Sequence, residues 1–487
     1  MKKNQIFSIA FLLLICLFSC KKELVLSGGK ATLHFSNDTI MFDTVFTTVG
    51  SITHHLKVYN KNDFDVKTNI KITGEDSKFY AINVDGISGS EAKNVEIPAN
   101  DSIFIFVEVR IDPNDQDLQF IVEANIEFNT GGKIQKVDLV AYGQYAKFHT
   151  ANTYGEIIEG EDTLRFWYHA LNCNEDWNSD TPHVIYGYVI VDANCQLTIN
   201  EGSQIYLHKN SGIIVGNPFS ATSGGTIKVN GSLGNEVVFQ GDRLDSWYED
   251  SPGQWDRIWL MPGSVNNTFD YAIIKEGTIG IHADTVGNND PTAIINNCII
   301  ENMSAIGILG QGANLEVNNT IVSSCGQYTV VCNIGGEYEF THCTFANFWN
   351  LNNRNTPSVL LNNFYEDING IIHIRDLQKA NFINCIIDGS LTTEIEFQEN
   401  ISGIFDYSFD HCLIKIDPNE NTNTANYINI IKNENPDFED KSKRDFHLKE
   451  SSPCIDAGRS TSISKDIEEN DRTLTPPPDL GAFEFID

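Results

Sequence analysis

Methionine is scarce in this chain, 4 in 487 residues, while glycine reaches 36, a balance that suits a β-rich protein full of turns. The 11 cysteines form no Cys-x-x-Cys pair and no zinc-type spacing, which excludes a zinc ribbon or a thioredoxin-like redox motif. Cations are in deficit, 33 Lys and Arg against 66 Asp and Glu, for a net charge of −33. So acidic a chain repels nucleic acid and anionic lipid, and it disfavours acidic polysaccharides unless a cation bridges them. Disorder-type bias is also missing, because 41% hydrophobic and 20% charged residues describe a folded chain.

Lys2-Lys3 and the apolar run Ile6–Phe18 read as a secretory signal, too short for a membrane span. The run ends Leu17-Phe18-Ser19-Cys20, which resembles a bacterial lipobox with Cys20 as the lipid-bearing residue. Residues 1–20 carry two lysines and no acid, so their removal takes the net charge to −35. Lys21-Lys22-Glu23 places no Asp beside the Cys, which favours delivery to the outer membrane. Residues 21–32 are read as a tether.

Residues 33–148 alternate as short strands, for example Ile103-Phe-Ile105-Phe-Val107-Glu-Val109, separated by turns such as Pro98-Ala-Asn100-Asp101. About seven strands at this spacing predict a β-sandwich, and no Cys…Trp…Cys set makes it antibody-like. The turn "IPANDS" and the closing "VAYGQ" resemble immunoglobulin-like domains of the Hydin and major-sperm-protein type, which implies a spacer or adhesion module. Residues 149–180 are a transition, marked by Phe166-Trp167-Tyr168 and Trp177.

From 181 to 450 the strands are short, with Gly, Asn or Asp corners and hardly room for a helix. A repeat runs through them: Phe269-Asp-Tyr-Ala272-Ile-Ile, Ile295-Asn-Asn-Cys298-Ile-Ile, Val317-Asn-Asn-Thr320-Ile-Val, Phe340-Thr-His-Cys343-Thr-Phe, Phe382-Ile-Asn-Cys385-Ile-Ile and Phe409-Asp-His-Cys412-Leu-Ile. The small residues step by 26, 22, 23, 42 and 27 positions. The 42 is read as one rung plus a polar insertion at 349–378. A coil of about 22 residues that returns to one lateral position stacks its rungs roughly 4.8 Å apart. The leading apolar residue, the small residue and the apolar residue two later then face inward, with a corner at Tyr271, Asn297, Asn319, His342, Asn384 and His411. The fold class is all-β: an Ig-like sandwich followed by a right-handed parallel β-helix.

In that register Cys298, Cys343, Cys385 and Cys412 are core thiols chosen for size, and His342 and His411 are corner residues rather than zinc ligands. Nine cysteines follow Cys20, so at least one is free unless a bridge forms between molecules; whether Cys173 and Cys195 pair stays open.

The phrases "LTINEGSQIYLH", "VVFQGDRLDSWYEDSPGQW", "FDYAIIKEGTIGI" and "FDHCLIKI" resemble parallel β-helix proteins of the pectate-lyase-like superfamily. Residues 451–487, with Ser452-Pro-Cys-Ile-Asp456-Ala-Gly458 and Asp479-Leu-Gly481-Ala-Phe-Glu484, resemble the closing motif of choice-of-anchor surface proteins and are read as a cap. That pattern carries glycine where this chain has Glu469, so a different turn is expected there. The resemblance implies polysaccharide lyases and glycoside hydrolases among relatives, but their Asn-Thr-Asp, Gly-Asp-Asp and Gly-His-Gly strings are absent here.

The remaining candidate is the loop 240–260, whose Asp242, Arg243, Asp245, Trp247, Tyr248, Trp255, Asp256 and Arg257 combine sugar-stacking rings with charged groups, beside Glu249, Asp250 and Trp259. The alternative is that its tryptophans only pack the loop. A second candidate lies in the insertion: Arg354, Tyr365, Glu366, His373 and Arg375, with Trp349, Asp367 and Asp376. No cofactor is required. Calcium has a candidate only in Asp456, Asp466, Asp479 and Glu484, for which hydrogen bonding within the cap is preferred. The expected function is a lipid-anchored envelope protein binding a glycan or surface protein without catalysis. The alternatives are a lyase or hydrolase, and a structural stalk.

Overall fold

The computed structural model describes residues 31–46, 53–109, 121–144, 146–159, 162–219, 224–244, 248, 250–284, 290–472 and 477–486. Cys20, the signal segment and nearly all of the tether lie outside them. The chain divides at Tyr145/Ala146 into two units.

The first unit is the sandwich. One five-stranded sheet holds, in spatial order, His34–Phe35, His54–Tyr59, Ser102–Val109, Tyr80–Val84 and Ile87–Gly89. The other holds Thr39–Phe46, Lys133–Gln144, Ile121–Thr130, Val66–Thr73 and Glu91–Ile97. The alternation seen in sequence is the burial pattern: Val66, Thr68, Ile70 and Ile72 are buried while their neighbours face out. Strands as short as His34–Phe35 have no alternation to show, which is why sequence reading counted fewer.

The second unit is a parallel β-helix of three sheets. The first sheet runs through Gln196–Asn200, Thr226–Asn230, Asn267–Asp270, Ala293–Asn296, Asn314–Asn318, Gly336–Thr341, Leu377–Ile383 and Ser408–Asp410. The second follows each of these after a corner, as in Ala272–Lys275, Ile299–Glu301, Ile321–Ser323, Thr344–Asn347 and Ile386–Gly389. The third includes Tyr188–Val191, Gly212–Val215, Ile258–Leu260, Ile279–Ala283, Ile306–Gln311, Tyr328–Asn333, Val359–Asn362 and Ile395–Gln398.

The repeat register is the pairing register. Phe269, Ile295, Val317, Phe340, Phe382 and Phe409 stand in one buried column, and Phe340 pairs with Phe382, so the 42-residue step is a single rung with an insertion. The rings of Phe340, Phe382 and Phe409 stack at 4.7 and 4.9 Å. The corner residues Tyr271, Asn297, Asn319, His342, Asn384 and His411 all take left-handed backbone, φ between 46° and 52°.

Two boundaries differ from the sequence reading. Lys147–Thr150, Asp162–Ala170 and Glu175–Trp177 pair in parallel with the next rung, so the segment taken as a transition is the first rung. It hides because it includes an antiparallel hairpin, Thr153–Glu159 with Asp162–Ala170, and so lacks the repeat. Its Cys173 is bridged to Cys195 one rung on, with Cα atoms 4.7 Å apart. His149 of this rung and His183 of the next are buried, joined at 2.8 Å and stacked on Trp177; burial pushes their pKa values down to about 3 and 4.

The other boundary is the tail. Rungs stop at Ile431–Lys432, and residues from Phe438 lie lengthwise on the outer face of the second sheet, where Phe446, Ile467, Leu480 and Ala482 cover Ile321, Ala346, Ile386 and Leu413. The tail is a flank cover, not an end cap. Its antiparallel pair Phe438–Asp440 and Asp445–Leu448 alternates like a rung, which extended the helix to 450 in the sequence reading.

Its acids bind the tail's own backbone. Asp466 accepts from the amides of Glu468, Asn470 and Glu484, and Asp479 from those of Asp456 and Phe485. Glu484 accepts from Asp479 N and pairs with buried Arg472. Asp456 is left-handed, φ 55°.

Glu469 sits at φ 64°, so the turn keeps the conformation glycine would favour despite the substitution. Glu469→Gly therefore stabilises the tail by about 0.5–1 kcal/mol before the loss of its exposed 3.5 Å contact to Lys465 and its side-chain hydrogen bond with Tyr271. Slower amide exchange across 465–484 in the variant is the expected reading, and unchanged or faster exchange counts against it.

Candidate ligand-binding face

In the third sheet each strand centres on a run of three residues whose outer two point into the core. Val189, Ile213, Ile258, Ile281, Ile308, Val330 and Val359 form one inner column, and Val191, Val215, Leu260, Ala283, Gly310, Cys332 and Leu361 the other. Between them an outward column runs Ile190, Ile214, Trp259, His282, Leu309, Val331, Leu360 and Glu396. Seven successive rungs thus turn an apolar or aromatic residue away from the central core, and flanking side chains bury all of them except the half-buried Trp259.

Polar groups edge this floor. Tyr188 Oη donates to Asp256 Oδ2 at 2.7 Å, which Arg257 Nε also reaches at 3.0 Å. Arg257 Nη1 lies 3.2 Å from His282 Nδ1, and His282 Nε2 lies 2.5 Å from Gln311 Oε1. Because the guanidinium can only donate, Nδ1 accepts and the proton sits on Nε2, donating to Gln311. Burial, with Arg257 beside it, holds the imidazole neutral by lowering its pKa. Burial and Asp256 push the Tyr188 phenol up, so it stays a donor. Trp259 Nε1 donates to Asp284 Oδ2 at 3.0 Å, and its ring stacks on His282 at 5.1 Å with 8° between planes.

At the N-terminal end of this face a cleft of about 450 Å³ is lined by Arg165, Phe166, Trp167, Tyr188, Lys209 and Trp259, among others. Trp167 is 57% exposed. A rigid ring platform with donors and acceptors at its edge suits a ligand that is apolar on its faces and hydroxylated at its rim.

The sequence candidates scatter. Asp256, Arg257 and Trp259 belong to this face. Trp255 is 1% exposed and packs in the core, its indole N–H bound to Lys275 O at 2.8 Å, so it is not a ligand-facing residue. Asp242 is held by Tyr186 at 3.1 Å and His208 at 2.8 Å, and Arg243 lies over the Tyr248 ring. Asp245, Trp247 and Glu249 lie outside the described residues.

In the insertion, Arg354 is buried in a two-pronged pair with Glu394 at 2.6 and 2.8 Å, a structural tie rather than a ligand contact. Tyr365 stacks on His373 at 4.8 Å within a hairpin, Phe364–Glu366 with Ile372–Ile374. There His373 binds Asp367, Arg375 lies over Tyr365, and Glu366 is exposed. Among the described residues no group of three or more His, Cys, Asp or Glu could hold a metal.

Sequence reasoning missed Tyr188, Lys209, His282, Asp284 and Gln311 as site residues. The available signal was the aligned middle position of the apolar triplets, where Trp259 and His282 stand one rung apart.

No protein-family profile matches the chain, and no curated protein matches it. Among solved structures, the sandwich is similar to the ASH/PapD-like domain 7 of human CEP192, at 14% identity over 24% of this chain and 88% of that one, TM-score 0.17. The catalytic domain of a family 87 α-1,3-glucanase in complex with nigerose matches 79% of this chain and 88% of its own at 10% identity, TM-score 0.21. A family 123 glycoside hydrolase from Clostridium perfringens matches at 10% identity, TM-score 0.19, and this chain spans 28% of its length. None of these similarities assigns an activity.

If the outer network is functional, it can be removed cheaply. Arg257→Ala costs about 1–2 kcal/mol, because the Arg257–Asp256 pair is partly exposed and buried His282 Nδ1 loses its donor. Arg354→Ala strands Glu394 and costs about 3–5 kcal/mol. Thermal unfolding of the two variants compares them directly; equal losses would make the outer network scaffold.

Proposed function

We propose that this is a lipid-anchored protein of the bacterial envelope whose β-helix binds a glycan on the outer face of its third sheet, without cleaving it. The observation that carries the reading is the Trp259–His282 stack. The half-buried Trp259 ring is backed by buried His282 and held in place by the hydrogen-bonded chain from Tyr188 to Gln311, so its free face is a fixed aromatic surface beside the cleft. Sugar faces stack on such rings, and the carboxylates, amide and guanidinium at its edge match hydroxyls. A hydrolase reading would rest on Asp256 and Asp284, which flank the platform.

A glycan panel scored for both retention and new reducing ends or unsaturated products decides between them. Retention of at least one glycan, weakened roughly tenfold by Trp259→Ala, is expected, since stacking of this kind is worth about 0.5–1.5 kcal/mol beyond buried area. Cleavage of any member overturns the non-catalytic reading, and silence throughout favours a stalk.

The anchor rests on Cys20 alone and is tested apart from the ligand. In detergent-phase partition, the native protein should enter the detergent phase and Cys20→Ser the aqueous phase. Native protein found in the aqueous phase removes the anchor from the proposal.

A further inference from the structure

A second cleft of about 450 Å³ lies between the solenoid and the tail. The solenoid contributes Asn302 and Ser324, successive left-handed corner residues after the second sheet (φ 56° and 51°), and the Phe348–Trp349 wall that follows Thr344–Asn347. The tail contributes Lys441, Ser442 and Arg444. The cleft therefore exists only while the tail is docked, and it shares no lining residue with the third-sheet cleft.

The charges at this cleft are allotted one by one. Arg444, itself left-handed at φ 61°, is pinned by Asp250 at 2.8 Å and lies 3.4 Å from Glu301. Lys443 takes Asp440 at 3.1 Å. Burial raises the Glu301 carboxyl above its usual range, against the opposing pull of Arg444. Lys441 is left over. Its ammonium stands 4.8 Å over the Phe348 ring, and no carboxylate among the described residues pairs with it. Trp349 is fixed by its own indole N–H, which donates to Asn352 Oδ1 at 2.9 Å.

We propose that this cleft binds a sugar unit bearing an anionic substituent, a carboxylate or a sulfate. Lys441 supplies the charge-assisted contact to the anion. Asn302, Ser324 and Ser442 meet hydroxyls, and Phe348 and Trp349 meet a ring face. Across a protein of net charge −33 an anion is repelled in general, and in this cleft, which Asp250 also lines, Lys441 is the cation with no acid of its own to offset that repulsion. The site does not depend on the third-sheet reading. Because three of its ten lining residues belong to the tail, an occupant also ties the tail to the solenoid.

The test is direct titration of the full chain with glucuronate, glucose 6-sulfate and glucose, at low and moderate salt, followed by tryptophan fluorescence. At least one of the two anions is expected to bind at least tenfold more tightly than glucose, weakening as salt rises, and which one binds names the substituent. Bound anion should also slow tryptic cleavage at Lys443 and Arg444. Lys441→Ala should reduce the anion's affinity to that of glucose, and Lys441→Glu should abolish it. Lys441 is exposed, so both variants should keep the native unfolding temperature. Trp259→Ala should leave this binding unchanged while weakening the glycan bound on the third sheet. No anion binding, glucose binding equal to the anions, full affinity in Lys441→Ala, or loss in Trp259→Ala each overturns the proposal.

Discussion

From Phe269 onward each rung turns between the first and second sheets through one residue in left-handed conformation, at the same position each time. Non-glycine residues reach that conformation at a cost, which Asn meets best because its short amide can bond locally. Hence Asn297, Asn319 and Asn384 stand there, with Tyr271, His342 and His411 as the larger variants. The stacked amides also bond along the axis, Asn319 Nδ2 to Asn297 Oδ1 at 3.1 Å. Because the corner points its side chains outward, it becomes the rail on which the tail docks. Asn319 donates to Lys465 O and accepts from Arg472, while Asn384 donates to Arg459 O and accepts from its amide. One backbone constraint therefore orders both the core and the flank.

The same turn explains the cysteines more fully than size does. The amide of the small residue after the corner is met by the small residue of the next rung: Ala272 N by Cys298 Sγ at 3.4 Å, Cys298 N by Thr320 Oγ1 at 3.3 Å, Cys343 N by Cys385 Sγ at 3.5 Å, Cys385 N by Cys412 Sγ at 3.3 Å. A buried amide without a partner is costly, and only a small side chain with a weak acceptor fits the space. Burial pushes the Cys298 thiol up to about 12. It stays protonated and donates back to Phe269 O, so this column supports hydrogen bonding rather than redox or metal chemistry.

Much of the fold was legible because the first and second sheets carry a repeat with a corner residue in it. From Phe269 to Cys412 the sequence register and the pairing register are the same, and the insertion between Phe340 and Phe382 stands where the step length put it. The first rung was not legible, since its hairpin replaces the repeat. The face was only partly legible. In Ile213-Ile214-Val215 or Val330-Val331-Cys332 the middle residue points away from the central core but is buried by flanking side chains, so the unbroken apolar triplet gives burial without direction. Trp259 drew attention and Trp255 drew equal attention, though four residues separate an exterior platform from a core residue. Arg354 and Glu394 are 40 positions apart, too far for their pairing to show in a linear reading.

The three outer faces of the solenoid have three different fates, and the difference bears on function. The first sheet turns polar side chains outward, as at Thr198, Lys228, Glu316 and Glu339, and three of these bond to neighbours on the same face. The second sheet turns out Ile321, Ala346, Ile386 and Leu413, and the tail lies across them. The third sheet also turns out an apolar column, but the clusters around it are made almost entirely of its own side chains, Ile190, Ile214 and Trp259 at one end and Leu309, Val331 and Leu360 at the other. Where stability alone is at stake, this chain covers such a column with tail. On the third sheet it instead edges the column with a network tying Tyr188, Asp256, Arg257, His282 and Gln311 into fixed positions. The column itself is buried by these flanking side chains, and the partly exposed ion pair at its edge adds little more to folding. Such an arrangement does lower the entropy lost when a ligand is received, because the groups that meet it are already ordered.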